Sequence, residues 1–224
     1  MIPKLYLTFH GIGPVPNHVP SEEHPYWISE TAFSEFIDTL TETSRASGVQ
    51  ITVTFDDGNV SDRNIAAPML AESGIPAIFF PCAARVGTVG YLDREDIVAL
   101  DEDGFEIGSH GVEHVPWRGL PTDMLEREVA DSKSFFEEML GKPVHSAALP
   151  FGSYDSKVLA ALRRAGYQTV FSSDPGASLG RSSFKRRWSY RSDKSFDVLE
   201  IARESFSIRN KVMSEVKRVM KSLR

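Results

Sequence analysis

The chain has 224 residues, 41% of them hydrophobic, and a formal net charge of −6. That length supports one large α/β domain or two small ones with a sizeable core. The acidic balance argues against a nucleic-acid partner, whose phosphates need a basic surface. A single cysteine, Cys82, excludes an internal disulfide and a cysteine-built zinc site, and its apolar surroundings make it a small core residue.

Leu5-Tyr6-Leu7-Thr8-Phe9 is too short for a signal-peptide core and reads as the first strand, so a cytoplasmic location is expected. No apolar run reaches the roughly 18 residues that span a bilayer, so no transmembrane segment is expected. After His10-Gly11 comes a long loop rich in proline and polar residues, including His18 and His24, of the kind that forms lids or rims. Ser29 is a good N-cap for a helix with Phe33, Phe36, Ile37 and Leu40 at helical spacing, ended by Gly48. Ile51-Thr52-Val53-Thr54-Phe55 is a strand running into Asp56-Asp57-Gly58. From there helices and strands alternate: Ile65 to Glu72, then Ala77 to Phe80; Asp93 to Leu100, then Phe105 to Gly108. A longer helix, Leu125 to Leu140, precedes the strand Ser146 to Leu149, and Val158 to Ala165 precedes Thr169 to Phe171. Such alternation implies a parallel sheet covered by helices, open or closed into a barrel.

A catalytic barrel is expected over 1–206, followed by a C-terminal basic amphipathic helix over 207–224. Its basic face suits either an anionic membrane surface or partner helix, or plain solvation of a helix docked on the same domain; the docked arrangement is the simpler one.

Parallel strands deliver their C-terminal ends to one face, so polar groups at different strand ends can converge. Three strand ends carry such groups: Asp56 and Asp57, His110 and His114, and Pro150-Phe151-Gly152. Asp-Gly is also an ordinary turn signal, but two adjacent carboxylates repel and call for a cation or a proton-transfer task. The i, i+4 spacing of His110 and His114 lets two imidazoles share one cation. One aspartate plus two histidines leaves coordination positions for water, the design of a catalytic metal site. His10 ends the first strand on the same rim, where it serves either as a proton donor and substrate contact or as a hydrogen-bonded strand-end residue.

These residues resemble the polysaccharide deacetylase (NodB-homology, carbohydrate esterase) family. The match is carried by Thr54-Phe55-Asp56-Asp57-Gly58, Ser109-His110-Gly111-Val112-Glu113-His114 and Leu149-Pro150-Phe151-Gly152-Ser153-Tyr154-Asp155, and runs from Leu5 to Trp188. The resemblance implies a distorted (β/α)7 barrel. It implies a divalent metal ion, Zn2+ first with Co2+ or Ni2+ as alternatives, held by Asp57, His110 and His114, with Asp56 as general base. Phe151 stands where the family has tyrosine, and a role there through the backbone N–H toward the oxyanion does not need the hydroxyl. Two departures stand out. The arginine that precedes the Pro-Tyr pair and orients the base is missing, the stretch here being Ala147-Ala148-Leu149, and no histidine follows His145 to act as the late general acid. Arg187 or Arg191 is expected to fill that space, Arg191 as a substrate contact with Pro150 and Phe151, and His10 to take the acid role. Trp27, Trp117 and Trp188 flank the rim, available for sugar stacking or for core packing.

The function expected is metal-dependent N-deacetylation of an N-acetylated amino sugar or glycan intermediate, for example in surface-polysaccharide synthesis. The alternatives are hydrolysis of a small non-sugar amide, or glycan binding without catalysis.

Overall fold

The computed structural model describes residues 4–47, 49–176 and 182–206; the expected helix at 207–224 and the stop at Gly48 lie outside these. In chain order come β1 (Lys4–Phe9), β2 (Gly11–Ile12), β3 (Trp27–Ile28), α1 (Glu30–Ser47) and β4 (Gln50–Asp57). Next are α2 (Ala67–Ser73), β5 (Ala77–Pro81), α3 (Arg94–Glu102), β6 (Glu106–Ile107), α4 (Thr122–Glu126) and α5 (Ser132–Leu140). Then follow β7 (Ser146–Ala148), α6 (Ser156–Arg164), β8 (Thr169–Ser172), β9 (Phe184–Arg186), β10 (Trp188–Ser189) and α7 (Val198–Phe206).

All these strands pair in parallel, as the alternation predicts. One sheet has the order β10-β1-β4-β5-β6 and another β7-β8-β9, with β2-β3 a small separate pair. A parallel bridge between Ser109 and Ala147 links the two larger sheets. At the other end one residue, Arg187, separates β9, paired with β8, from β10, paired with β1. The result is the α/β architecture expected, made of two linked sheets.

Side chains alternate across the strands with period two. Leu5, Leu7, Phe9, Ile51, Val53 and Phe55 join Phe33 and Leu40 of α1 in the large outer core. Tyr6, Ile78, Phe80, Ala148 and Phe171 form a smaller inner cluster. Thr8 and Thr54 share a hydroxyl hydrogen bond of 2.8 Å. Helix ends follow their capping residues: Ser29 Oγ accepts from the Ala32 N–H at 3.2 Å, Asp93 and Asp96 form a capping box, and Gly141 closes α5 at φ 66°.

The helix expected over Leu125 to Leu140 is interrupted by a π-helical turn, Arg127–Asp131, between α4 and α5, and another, Asp62–Ala66, precedes α2. The strands β2, β3, β9 and β10 are too short to leave a periodic signature, and neither they nor α7 is legible in the sequence pattern.

Candidate active site

β4 carries Asp56 and Asp57 to its C-terminal end, and the segment after β6 carries His110, whose N–H donates to Pro81 O at 3.0 Å. Asp57 Oδ1 lies 3.2 Å from His114 Nε2 and 3.8 Å from His110 Nε2. One ligand atom from each of these three side chains lies within 4.8 Å of the others. Asp57 Oδ1 is buried and makes no hydrogen bond among the described residues. His110 Nδ1 faces Ala148 O at 3.0 Å, so this nitrogen carries the proton and Nε2 is left as a ligand. Burial depresses the pKa of His110 to about 4 and also lowers that of His114, so both rings are neutral at pH 7. Burial opposes ionisation of Asp57, but the neighbouring imidazoles of His114, His10 and His110, which carry charge in acid, and the Arg85 guanidinium outweigh it and hold its pKa below the usual value. A buried carboxylate oxygen without a hydrogen bond, faced by two neutral imidazoles, fits a divalent cation.

Among the described residues, the non-glycine positions with positive φ are Asp57 (80°), His114 (54°) and Phe151 (55°). All three line one cavity of about 180 Å³, together with His10, Glu23, Tyr26, Asp56, His110, Ser173 and Ser189. Side chains in this backbone region cost energy that the surrounding structure must hold in place, and such outliers gather at functional sites.

Asp56 is held by Arg187, whose Nη1 and Nη2 donate to Oδ1 and Oδ2 at 2.6 and 2.8 Å. Burial would raise the Asp56 pKa, yet the Arg187 and His110 charges bring it down to about 2. His10 packs against Tyr26 with ring centroids 4.8 Å apart and planes tilted by 44°. Its Nδ1 is buried without a hydrogen-bond partner among the described residues.

Of the residues expected to touch substrate, Phe151 lines the cavity, 61% exposed, with its ring 4.6 Å from that of His114. Pro150 is buried and does not line it. Arg191 sits behind the wall, donating to Tyr26 Oη at 3.0 Å and pairing with Asp193. The late arginine that reaches into the site is therefore Arg187, which binds Asp56, because the residue between β9 and β10 turns inward while Arg191 lies beyond β10 on Tyr26. No tryptophan lines the cavity: Trp27 and Trp117 are buried, and Trp188 packs on the core and donates to Ser205. Its aromatic walls are Tyr26 and Phe151. His18 and His24 are exposed.

The residues that brace the candidate ligands from behind leave no pattern in the sequence. Asn59 Nδ2 donates to His10 O at 3.0 Å, tying β1 to the Asp-Asp-Gly loop. Glu128, on a π-helical turn, accepts from the N–H groups of Val112 and Glu113 at 2.9 and 3.1 Å and from Trp117 Nε1 at 3.4 Å, fixing the loop from His110 to His114. Arg85 touches both Asp57 and His114. None has a sequence signal beyond its residue type.

Fold and site together define a parallel α/β protein with an Asp-His-His set that could hold a metal ion beside a second carboxylate. A family model described as polysaccharide deacetylase matches residues 44–170, more than half of the chain, and the chain belongs to that family. It is 28% identical to YxkH of Bacillus subtilis over 181 residues, 77% of this chain and 65% of that protein. It is 31% identical over 121 residues to a peptidoglycan-N-acetylglucosamine deacetylase of Bacillus cereus, 54% of each chain. The chain thus spans less than two thirds of the length of either relative. The fold matches that of the Streptococcus pyogenes deacetylase PplD, solved in complex with acetate, with a TM-score of 0.75, 16% identity, and coverage of 92% of this chain and 99% of that one.

Proposed function

We propose that this chain is a metal-dependent N-deacetylase acting on an N-acetylated amino sugar within a glycan or glycan intermediate. The observation that carries this reading is the convergence of Asp57, His110 and His114, one ligand atom from each within 4.8 Å of the others, on a buried carboxylate whose Oδ1 is faced by the two imidazoles and by the Arg85 guanidinium. Asp57, His110 and His114 would hold the ion; a carboxylate and two imidazoles suit zinc, with cobalt or nickel as alternatives. A divalent ion there supplies a polarised acetyl carbonyl and a water whose pKa falls toward about 7.

The remaining work falls to the chain's own side chains. Asp56, kept ionised by Arg187, accepts the proton of the attacking water at Oδ2, the oxygen turned toward His110 Nε2 at 3.8 Å. His10, on the cavity wall with a free buried Nδ1 among the described residues, delivers a proton to the leaving amine. The Phe151 N–H is the candidate donor to the developing oxyanion, and the half-open Phe151 and Tyr26 rings offer faces to a sugar. A base, an acid and an arginine on the base all speak against a protein that only binds glycans.

Acetate release from N-acetylglucosamine oligomers, measured with and without a chelator, tests this reading. Release that chelator abolishes and added zinc restores is expected; equal release in both conditions, or none from any N-acetylated sugar, contradicts it. A second reading, hydrolysis of a small non-sugar amide, draws on the modest cavity of about 180 Å³. Turnover of a simple acetamide in preference to every N-acetylated sugar would favour it.

A further inference from the structure

Arg85 ends a short 3-10 turn after β5 and stands against two of the three candidate ligands. Its Nη1 is 3.2 Å from Asp57 Oδ1 and its Nη2 is 3.1 Å from His114 Nδ1. A guanidinium only donates hydrogen bonds. His114 Nδ1 must therefore accept, and the proton of the neutral ring sits on Nε2, the nitrogen 3.2 Å from Asp57 Oδ1. Ligation needs the opposite arrangement: a free Nε2 lone pair, with an Nδ1–H that donates to an acceptor. His110 already has that arrangement, with its Nδ1 on Ala148 O at 3.0 Å. For His114 the protonated Nδ1 would meet an arginine donor head-on. The guanidinium also spends its charge on the carboxylate that the ion needs.

We propose that Arg85 competes with the divalent ion for Asp57 and His114, and that binding of the ion moves its guanidinium to Glu23. The proposal rests on the metal reading above. Glu23 lines the same cavity and makes no side-chain hydrogen bond or ion pair among the described residues. Its charge acts on both Arg85 and His114. The Arg85 side chain is 22% exposed, so it has room to turn, and its guanidinium lies 5.0 Å from the centre of the Tyr91 ring, a face over which it can swing. Ion loading is thereby coupled to the proline-rich loop that carries Glu23 and Tyr26. The site trades affinity for this coupling.

The test is zinc affinity of the full chain, measured by competition with a chromophoric chelator, for the unsubstituted protein, Arg85→Met, Glu23→Gln and the double variant. Methionine keeps the stem on Tyr91 and removes the donor and the charge. Arg85→Met is expected to bind zinc about tenfold more tightly, the scale on which partners behind a ligand act. Glu23→Gln is expected to weaken binding in the unsubstituted chain and to have a clearly smaller effect in Arg85→Met, where only its direct field at His114 is left. Unchanged or weaker binding by Arg85→Met overturns the proposal, as does an equal effect of Glu23→Gln in both backgrounds. Glu23→Gln lies on a loop outside the core, so an unchanged affinity there decides against the proposal even if Arg85→Met fails to fold. No zinc binding by the unsubstituted chain overturns the metal reading together with it, which separates the two failures.

Discussion

Arg187 grips Asp56 through both carboxylate oxygens, at 2.6 and 2.8 Å, and both residues are buried. The same guanidinium donates to Thr54 Oγ1 at 3.2 Å and lies 5.5 and 5.8 Å from the ring centres of Phe80 and Phe171. Those two rings share the inner cluster with Ala148, whose small side chain leaves room among them. The arginine missing before Pro150 thus has a counterpart that arrives from the β9–β10 junction.

Removing one member of a buried, hydrogen-bonded ion pair leaves the other charged and unpaired, at a cost of about 3–5 kcal/mol. Arg187→Leu is expected to lose stability on that scale in urea unfolding, and Arg187→Leu with Asp56→Leu to lose less than the sum of the single changes. The Asp56 pKa is depressed from 3.8 to about 2. Its contribution is therefore complete above pH 3.8 and lost as pH falls through about 2, so the penalty of Arg187→Leu should shrink in acid. A penalty that is constant with pH would count against the pair.

Glu128 is 3% exposed and satisfies three N–H groups around the His110–His114 loop. Glu128→Ala strands those donors, at about 1–3 kcal/mol for each that water cannot reach. It is also expected to lower zinc affinity about 10- to 100-fold by freeing His114. Glu128→Gln, which keeps an acceptor oxygen, should retain most of both. Gly111→Ala should fail in a related way. Its φ is 85°, and a Cβ there would come 2.6 Å from Glu128 Oε2. Thermal melting and chelator competition measure these changes.

Asp62 is fully buried, and neither carboxyl oxygen has a hydrogen-bond partner among the described residues. Burial, with the Asp57 and Asp56 charges, raises its pKa well above 3.8. The folded chain thus holds a proton here that the unfolded chain releases above pH 3.8, so this residue destabilises the fold increasingly as pH rises from 3.8 toward its folded pKa. Asp62→Asn is expected to raise the urea midpoint at pH 7 and to leave it unchanged near pH 3. A lower midpoint at pH 7 would mean that the carboxylate is ionised and paired.

Much of the architecture is legible in the sequence because it is locally encoded. The strand Ile51 to Phe55 has β-branched and aromatic residues, and the ligand histidines sit four residues apart within one loop. What stays hidden depends on distance in three dimensions. Arg186, Arg187 and Arg191 look alike in sequence, and only the strand pairing on either side of residue 187 brings Arg187 onto Asp56. Arg191, expected at the substrate, instead braces Tyr26 from behind. Arg85 and Glu128 act through contacts with loops far from them in sequence, which no periodicity reports. The π-helical turn that carries Glu128 interrupts a helix whose hydrophobic spacing reads as continuous, and the one that carries Asp62 precedes α2.

On the proposed reading, Asp57, His110 and His114 gather around one divalent ion. Anomalous diffraction at the zinc edge, from crystals of the full chain grown with zinc, tests it most directly. The account predicts one strong peak within bonding distance of Asp57 Oδ1, His110 Nε2 and His114 Nε2, and its disappearance in Asp57→Asn crystals. A peak held by other residues, or none in the unsubstituted protein, would contradict it.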